Sequence, residues 1–116
     1  MNQDEEDKLL ESLFLELRRG TIILSVLSQL NKPQYGYSLV MLLEEKGMPI
    51  DAGTLYPLLR RLEKQEMLIS SWDTEGTKPR KYYVMSDQGK RIYKRLCKFW
   101  LEMVSAMGKF IYEEEI

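Results

Sequence analysis

Three cations that could bind an anion stand at helical spacing in one short segment of the sequence, residues 51–68. Arg60, Arg61 and Lys64 fall on one side of a helix laid out at about 100° per residue, and Tyr56 and Pro57 share that side. The opposite side is apolar and consists of Leu55, Leu58, Leu59 and Leu62. A helix of this kind, called the basic helix below, has one face for a protein core and one for an anionic partner. The alternative is an ordinary surface helix whose cations are solvated.

Basic residues are concentrated in the middle of the chain. Residues 51–98 contain eleven lysines and arginines against six aspartates and glutamates, a local net charge of +5, whereas the whole chain has a net charge of −1. The remaining residues therefore carry a net charge of −6. A basic middle between acidic ends can bind a polyanion on one face while the chain stays in solution.

The residue inventory excludes several kinds of site. Cys97 is the only cysteine and the sequence has no histidine. An internal disulfide, a Cys/His zinc site and a histidine-based catalytic group are therefore excluded. The carboxylates lie in charge runs without the spacing of a catalytic pair. We therefore expect neither an enzyme nor a bound metal or cofactor.

The length and composition of the chain favour a single cytoplasmic domain. A chain of 116 residues is long enough for one modest core, and dimerisation would help to stabilise it. No apolar run approaches the roughly 20 residues that span a bilayer, so we expect no membrane contact. The acidic residues 4–7 have the wrong charge for a signal peptide. We therefore treat residues 1–116 as one domain and expect it in the cytoplasm.

Helical periodicity dominates the first half of the chain. Residues 4–19 are predicted to form an N-terminal helix capped by Asp4 and ended by Gly20. Its apolar arc is too broad for a small domain to bury, so we expect another helix to cover it. The arc consists of Leu9, Leu10, Leu13, Phe14 and Leu17. Residues 21–30 are apolar on nearly all sides, as in a central core helix, and a further amphipathic helix is predicted to end at a left-handed Gly47.

The start of the basic helix is ambiguous. Asp51 is the better N-cap by residue type, but Pro57 would then lie deep enough to remove a backbone hydrogen bond. We favour a later start at Gly53 or Thr54, which gives a helix over residues 54–67. The period then changes to alternation over residues 68–72 and 80–85. This change predicts a β-hairpin around a turn-rich loop.

A long amphipathic helix is predicted over residues 87–112, with Ser86 as its cap. Apolar residues recur along it every three or four positions, which is typical of a helix–helix seam. They are Ile92, Leu96, Phe99, Met103, Ala106 and Phe110. A domain of this size cannot bury so long a stripe, so we expect a second copy of the chain to cover it. Residues 113–115 form an acidic tail.

Four short motifs stand in a fixed order along the chain. They are Leu17-Arg18-Arg19-Gly20-Thr21, Tyr35-Gly36-Tyr37, Gly53-Thr54-Leu55-Tyr56-Pro57-Leu58-Leu59-Arg60-Arg61-Leu62-Glu63 and Arg80-Lys81-Tyr82-Tyr83. With the order of the predicted elements, they resemble the PadR family of transcriptional regulators over about residues 16–100. The Thr-Leu-Tyr-Pro and Arg-Lys-Tyr-Tyr elements are specific together, whereas either one alone is a weak signal.

The resemblance implies a mainly α (α+β) fold, a winged helix-turn-helix with N-terminal and C-terminal dimerisation helices. Residues 21–86 would form the DNA-binding core, with the wing at residues 68–85. The implied function is that of a homodimeric repressor that binds double-stranded DNA at a pseudo-palindromic operator. The basic helix would enter the major groove, while the wing would lie along the backbone or the minor groove. The short C-terminal region resembles that of compact family members.

The expected residue roles follow from this resemblance and from side-chain chemistry. The expected DNA contacts are Tyr35, Thr54, Tyr56, Pro57, Arg60, Arg61, Lys64, Lys78, Arg80 and Lys81. The expected dimerisation residues are Leu9, Leu10, Leu13, Leu17, Leu96, Phe99, Met103 and Phe110. Which arginine of the basic helix reads a base stays open, and one of the two could instead pair with a carboxylate such as Glu63. Asp51 introduces an anion at the edge of the contact surface.

In multidrug-binding members of the family, an aromatic residue at the dimer interface stacks on planar apolar ligands. Trp100 stands at a similar position, with Phe14, Met103 and Met107 as candidate neighbours, so a planar aromatic small molecule is a candidate effector. The alternative is that these residues only pack the dimer. For the whole chain, the alternative function is a dimeric winged-helix protein-interaction module whose basic face binds an acidic protein.

Overall fold

Helices and one small sheet make up the fold, and the computed structural model describes residues 1–112. The acidic tail predicted at residues 113–115 lies outside this range. In chain order, the elements are α1 (Gln3–Arg18), a 3₁₀ turn (Arg19–Thr21), α2 (Ile22–Ser28), β1 (Gln34–Tyr35), α3 (Gly36–Glu45), α4 (Ala52–Lys64), β2 (Leu68–Asp73), β3 (Arg80–Met85) and α5 (Asp87–Tyr112). The predicted winged helix-turn-helix is confirmed, with α4 as the basic helix and the β2–β3 hairpin as the wing.

The core lies between α2, α3, α4 and the base of the sheet. Leu27 of α2 and Leu39 of α3 are fully buried there, and Met85 of β3 closes the sheet side. The four leucines predicted to anchor the basic helix are all buried: Leu55, Leu58, Leu59 and Leu62. Burying an amphipathic stripe of this kind supplies most of the stability of a short helix, because isolated helices are marginal in water. The core therefore holds the basic face of α4 outward.

The sheet has three antiparallel strands in the order β1-β3-β2, one more than the predicted hairpin. Tyr35 in β1 pairs with Tyr82 in β3, and the two-residue length of β1 explains why no alternation was visible in the sequence. Directly paired residues share a face of an antiparallel sheet. The inner face of the wing, turned towards α4, carries Leu68, Ser70, Trp72, Lys81, Tyr83 and Met85. The outer face carries Ile69, Ser71, Asp73, Arg80, Tyr82 and Val84.

The N-terminal helix agrees with the predicted residues 4–19 to within one residue at each end, but its predicted cap was wrong. Asn2 caps α1, since its side-chain oxygen accepts a hydrogen bond from the Glu5 backbone N–H at 2.9 Å. Asp4 instead lies in the first turn, where its charge complements the helix dipole. Gly20 does not end the helical path, because a 3₁₀ turn carries the chain from α1 into α2 with right-handed residues at both of its ends.

The later start favoured for the basic helix was also wrong. Asp51 is the N-cap of α4, and its side chain accepts a hydrogen bond from the Thr54 backbone N–H at 2.7 Å. Pro57 lies inside the helix, where it removes the bond to the carbonyl of Gly53. Gly53 is exposed, so water can satisfy that carbonyl. The cap contributes about 0.5–2 kcal/mol, and burial of the four leucines offsets the rest of the cost of the proline.

A residue in the left-handed conformation follows each of the two helices α3 and α4. Gly47 has φ of 82° just after α3, which confirms that prediction. Helix α4 ends at Lys64 rather than at residue 67, and the next turn is closed by bonds from the Glu66 N–H to the Glu63 carbonyl and from the Met67 N–H to the Leu62 carbonyl. This is a Schellman motif, but its left-handed position is occupied by Glu66, with φ of 62°.

The predicted cap and the predicted start of the last helix are confirmed, and α5 is helical as far as the described residues reach. Ser86 Oγ accepts a hydrogen bond from the Gly89 N–H at 2.9 Å, and its hydroxyl also contacts the carbonyl oxygen of Glu66 at 2.7 Å. Gly89 is buried, and a Cβ placed there would overlap with the carbonyl oxygen of Met67. The first turn of α5 is therefore pressed directly onto the segment that joins α4 to β2.

Candidate nucleic-acid interface

The basic face of α4 is open to solvent. Arg60, Arg61 and Lys64 are exposed, and none of them forms an ion pair with a carboxylate among residues 1–112. The suggestion that Glu63 holds one of the two arginines was wrong, because Glu63 pairs with Lys81 of the wing instead. The two arginines of α4 are therefore available to an external anion.

Three residues of α4 lie along the side of the helix that is nearest the wing. Tyr56, Arg60 and Glu63 follow one another at spacings of four and three and so lie along one side of the helix. The Tyr56 ring packs over Gly36 at the start of α3, where a Cβ would overlap with the ring. Glycine is needed at that position for this close approach. This packing fixes the position of the ring, and about 40% of Tyr56 still stays exposed.

Tyr35 and Arg80 lie together on the outer face of the wing. The guanidinium carbon of Arg80 is 4.7 Å from the centre of the Tyr35 ring, a cation–π geometry. Tyr82 packs edge-on against the same ring at 5.4 Å. Arg80 forms no ion pair within the described chain, so the stacked ring orients its guanidinium while leaving the charge unpaired.

Lys81 lies on the inner face of the wing, and its charge is already paired. Its Nζ is 3.0 Å from Glu63 Oε1 and lies over the Tyr83 ring at 5.2 Å. The Ser70 hydroxyl donates a hydrogen bond to the other oxygen of Glu63. The Ser70 hydrogen bond and then that of Lys81 hold the pKa of the Glu63 carboxyl below its ordinary value. The Glu63 contact in turn raises the pKa of Lys81.

An open cleft of about 650 Å³ separates the tip of the wing from the starts of α3 and α4. Tyr35, Gly36 and Tyr56 line its helix side, whereas Trp72 and the loop with Lys78 line its wing side. Trp72 is 64% exposed and was not among the residues singled out from the sequence. Strand alternation could have found it, because Trp72 pairs with Lys81 on the inner face.

The residues expected to bind an aromatic ligand are exposed in the single chain, and so are those expected to bind a second copy, except Leu96, which is half-buried against the chain's own core. Phe14 on α1 and Trp100, Met103 and Met107 on α5 are all open to solvent. A shallow depression at Phe14 is lined only by its α1 neighbours Asp7, Leu10 and Glu11. The single chain therefore does not assemble the four residues into one site.

The described part of the chain holds neither a candidate metal site nor a membrane-spanning helix. Residues 1–112 contain no group of three or more acidic or cysteine side chains placed to hold a metal ion. Among the helices of the same range, none has both the length and the apolar character to cross a bilayer.

The geometry of α4 and the wing agrees with what comparison with known proteins shows. Residues 23–95 match the model of the transcriptional regulator PadR-like family. The crystal structure of a PadR family transcriptional regulator from Eggerthella lenta shares 48% sequence identity and a TM-score of 0.89, over 92% of this chain and 96% of that chain. A transcriptional regulator from Clostridium thermocellum shares 30% identity and a TM-score of 0.75, over 83% of this chain and 98% of that chain.

A third solved structure, which is less similar to the chain, is also that of a PadR family regulator. A PadR family transcription regulator from Clostridium difficile shares 27% identity and a TM-score of 0.66, over 77% of this chain and 93% of that chain. No curated protein is significantly similar to the chain. The family match covers more than half of the sequence, and the first structural match covers nearly all of it. The chain therefore belongs to the PadR-like family of transcriptional regulators, and its function is DNA-binding regulation of transcription.

Proposed function

We propose that the protein is a homodimeric repressor that inserts α4 into the major groove of a pseudo-palindromic operator. The observation that carries this proposal is the set of unpaired cations on α4, Arg60, Arg61 and Lys64, on a helix whose other side is anchored in the core. An α-helix fits the major groove of B-DNA, and paired guanidinium contacts read guanine there. A protein-interaction module would not require cations on both the helix and the wing.

The remaining expected contacts surround this helix. Thr54, Tyr56 and Pro57 stand in the first two turns of α4, and Tyr35 stands at the start of α3. Side chains at the starts of such helices bind phosphate and sugar and fix the orientation of the protein on the duplex. On the wing, Lys78 and Arg80 are exposed and unpaired within the described chain. They would hold the wing on the DNA backbone.

The shape of the single chain supports a dimer. Its accessible surface is 9032 Å², about 2,400 Å² more than a compact monomer of this mass would expose. Its radius of gyration is 17.5 Å, against about 13 Å for a compact domain of this length. Two copies that each covered this excess surface would bury a total area in the range of obligate dimer interfaces.

The exposed apolar residues are concentrated on α1 and the second half of α5. No residue of α1 is buried, although its apolar arc includes Leu13 and Phe14. Along α5, only Gly89 is buried, and the stripe from Phe99 to Phe110 is exposed. Two copies that cover these helices with each other would bury both stripes and present two α4 helices to one duplex.

Operator binding tests the contact surface. We expect the double variant Arg60→Ala/Lys64→Ala to lose most of its affinity for DNA fragments that the wild-type protein selects from its own genome, and to show a weaker salt dependence. The control Lys46→Ala/Lys109→Ala removes the same charge away from the proposed contact face, and should bind as the wild type does. Unchanged operator binding by the first variant would contradict the proposal.

A second proposal is that a planar aromatic ligand releases the DNA by binding at Trp100. It is supported by the partial exposure of the Trp100 ring beside Met103 and Met107, since tryptophan offers a stacking face and methionine an adaptable lining. In a Trp72→Phe background, Trp100 fluorescence should be quenched by planar aromatic compounds that also weaken operator binding. An absence of quenching across a diverse panel would leave Trp100 as a packing residue.

A further inference from the structure

Two neighbouring cations of the wing have different surroundings. Arg80 and Lys81 are adjacent in β3 and therefore point to opposite faces of the hairpin. Arg80 is exposed on the outer face, stacked on Tyr35 and without a carboxylate partner in the described chain. Lys81 is on the inner face, where its ammonium group contacts Glu63 at 3.0 Å. Of these two side chains, only Arg80 offers an unpaired charge to an external phosphate.

Glu63 connects α4 to both strands of the wing. One carboxylate oxygen accepts a hydrogen bond from Lys81 of β3, and the other accepts one from Ser70 of β2. The side chains of Glu63 and Lys81 are about one-third exposed, at 32% and 30%. The pair is therefore shielded in part from water and salt, so it is screened less than a fully exposed pair. It lies at the end of α4 that carries Lys64.

We infer that Glu63 determines specificity by keeping Lys81 away from the DNA backbone and by fixing the distance between the wing and α4. This inference rests on the proposed contact surface of α4 and the wing. A phosphate contact adds affinity for every DNA sequence alike, whereas base contacts distinguish sequences. A carboxylate that occupies Lys81 withholds one sequence-independent contact from each subunit. It also holds the wing in one position while the arginines of α4 read the groove.

The substitution Glu63→Gln, which keeps the shape of the side chain and removes its charge, is the direct test. Glutamine has the same shape and can still accept a hydrogen bond from Ser70, but it no longer holds the Lys81 ammonium group by charge. We expect binding to random-sequence DNA to become tighter. The slope of log affinity against log salt should steepen by about 0.9 for each Lys81 that gains a phosphate. The loss of affinity between about 50 mM and 200 mM salt then grows roughly three- to fourfold per added contact, and the ratio of selected-site to random-site affinity falls.

Four further variants identify the source of any change. Glu75→Gln removes one negative charge from the loop of the wing, where no ion pair involves Glu75, and should leave the salt slope as in the wild type. Lys81→Met should also leave the slope unchanged, whereas Arg80→Met should reduce it. The double variant Glu63→Gln/Lys81→Met should return the slope to the wild-type value, because the gain requires the freed ammonium group. Circular dichroism and thermal melting confirm that each variant is folded.

Two results would overturn the inference. One is a reduction of the salt slope by Lys81→Met as large as that by Arg80→Met, which would mean that Lys81 already contacts phosphate. The other is a slope for Glu63→Gln that matches that of Glu75→Gln. If Arg60→Ala/Lys64→Ala weakens binding while either result holds, only the role of Glu63 fails. If that double variant binds normally, the proposed contact surface itself is wrong.

Discussion

Among single residues, the three cations of the wing differ in whether a carboxylate of the chain already pairs with them. Lys78, Arg80 and Lys81 have the same sign and lie within a few residues of one another, yet their surroundings differ. Lys81 has a carboxylate at 3.0 Å, Arg80 has an aromatic ring, and Lys78 lies exposed in the loop. The sequence alone predicted the same role in DNA contact for all three, whereas the structure places them in three different surroundings.

The Glu63–Lys81 pair should make stability depend on pH. The pKa of Glu63 is lowered by folding, so its contribution is present above the ordinary value of 4.5 and is lost as the pH falls through the folded pKa. The pKa of Lys81 is raised, so its contribution is present below 10.5 and is lost as the pH rises through the folded pKa. We expect Glu63→Gln to reduce the free energy of unfolding by less than about 1 kcal/mol near neutral pH, because both side chains are partly solvated.

Urea unfolding of the wild type and of Glu63→Gln at several pH values measures this difference. The two proteins should converge below the folded pKa of Glu63, where the carboxyl is protonated and the ion pair is absent. A difference that stays constant from acidic to neutral pH would contradict an ionic contribution.

At the scale of elements, the contact between α5 and the base of the wing requires a glycine. A Cβ at Gly89 would overlap with the carbonyl oxygen of Met67, which is backbone and cannot rotate away. We expect Gly89→Ala to lower the free energy of unfolding by roughly 1–3 kcal/mol, the usual cost of overpacking. Gly108 lies in the same helix, and the nearest heavy atom to its Cβ position is 3.9 Å away. Gly108→Ala should therefore stabilise the protein by up to about 1 kcal/mol. Denaturant unfolding that shows effects of the same sign for both would contradict the packing argument.

The turn after α4 predicts a stabilising substitution. Glu66 has φ of 62° at the left-handed position of a Schellman motif, where most residues are strained and glycine is not. We expect Glu66→Gly to raise the free energy of unfolding by roughly 0.5–1 kcal/mol, after allowance for the greater freedom of glycine in the unfolded chain. Glu66→Ala keeps a Cβ in the same conformation and serves as the control. If both variants have the same melting temperature, the strain at Glu66 is not relieved by glycine.

At the scale of the whole molecule, the exposed stripes of α1 and α5 predict a dimer that a single charge can disrupt. Phe99 is 55% exposed in the single chain, and we expect Phe99→Glu to shift the protein to a monomer in sedimentation measurements. Operator affinity should then fall by at least about a hundredfold, because the two half-sites are no longer bound together. Ile69→Glu makes the same kind of change on the wing, where Ile69 is 57% exposed, and should leave the subunit number unchanged. A dimer of unchanged stability in Phe99→Glu would contradict the proposed interface.

Much of this protein could be predicted from short stretches of its sequence. The period of the leucines in α4, the alternation in the wing and the Ser86 cap of α5 each depend on neighbouring residues, and the fold confirms all three. Local patterns of this kind express the geometry of one helix or strand, which does not require knowledge of the rest of the chain. The cations of α4 were recognised for the same reason.

Other features were decided only when distant segments met. The two residues of β1 form a strand because β3 lies beside them, and α4 begins at Ala52 because the buried leucines offset the cost of Pro57. Lys81 pairs with Glu63 eighteen residues away, and no local pattern selects that partner over an external anion. Local sequence patterns therefore predicted the longer helices and strands and their charged faces. The packing of distant segments set which of those charges are already neutralised within the fold, because ion pairing depends on the distances between segments that are far apart in the sequence.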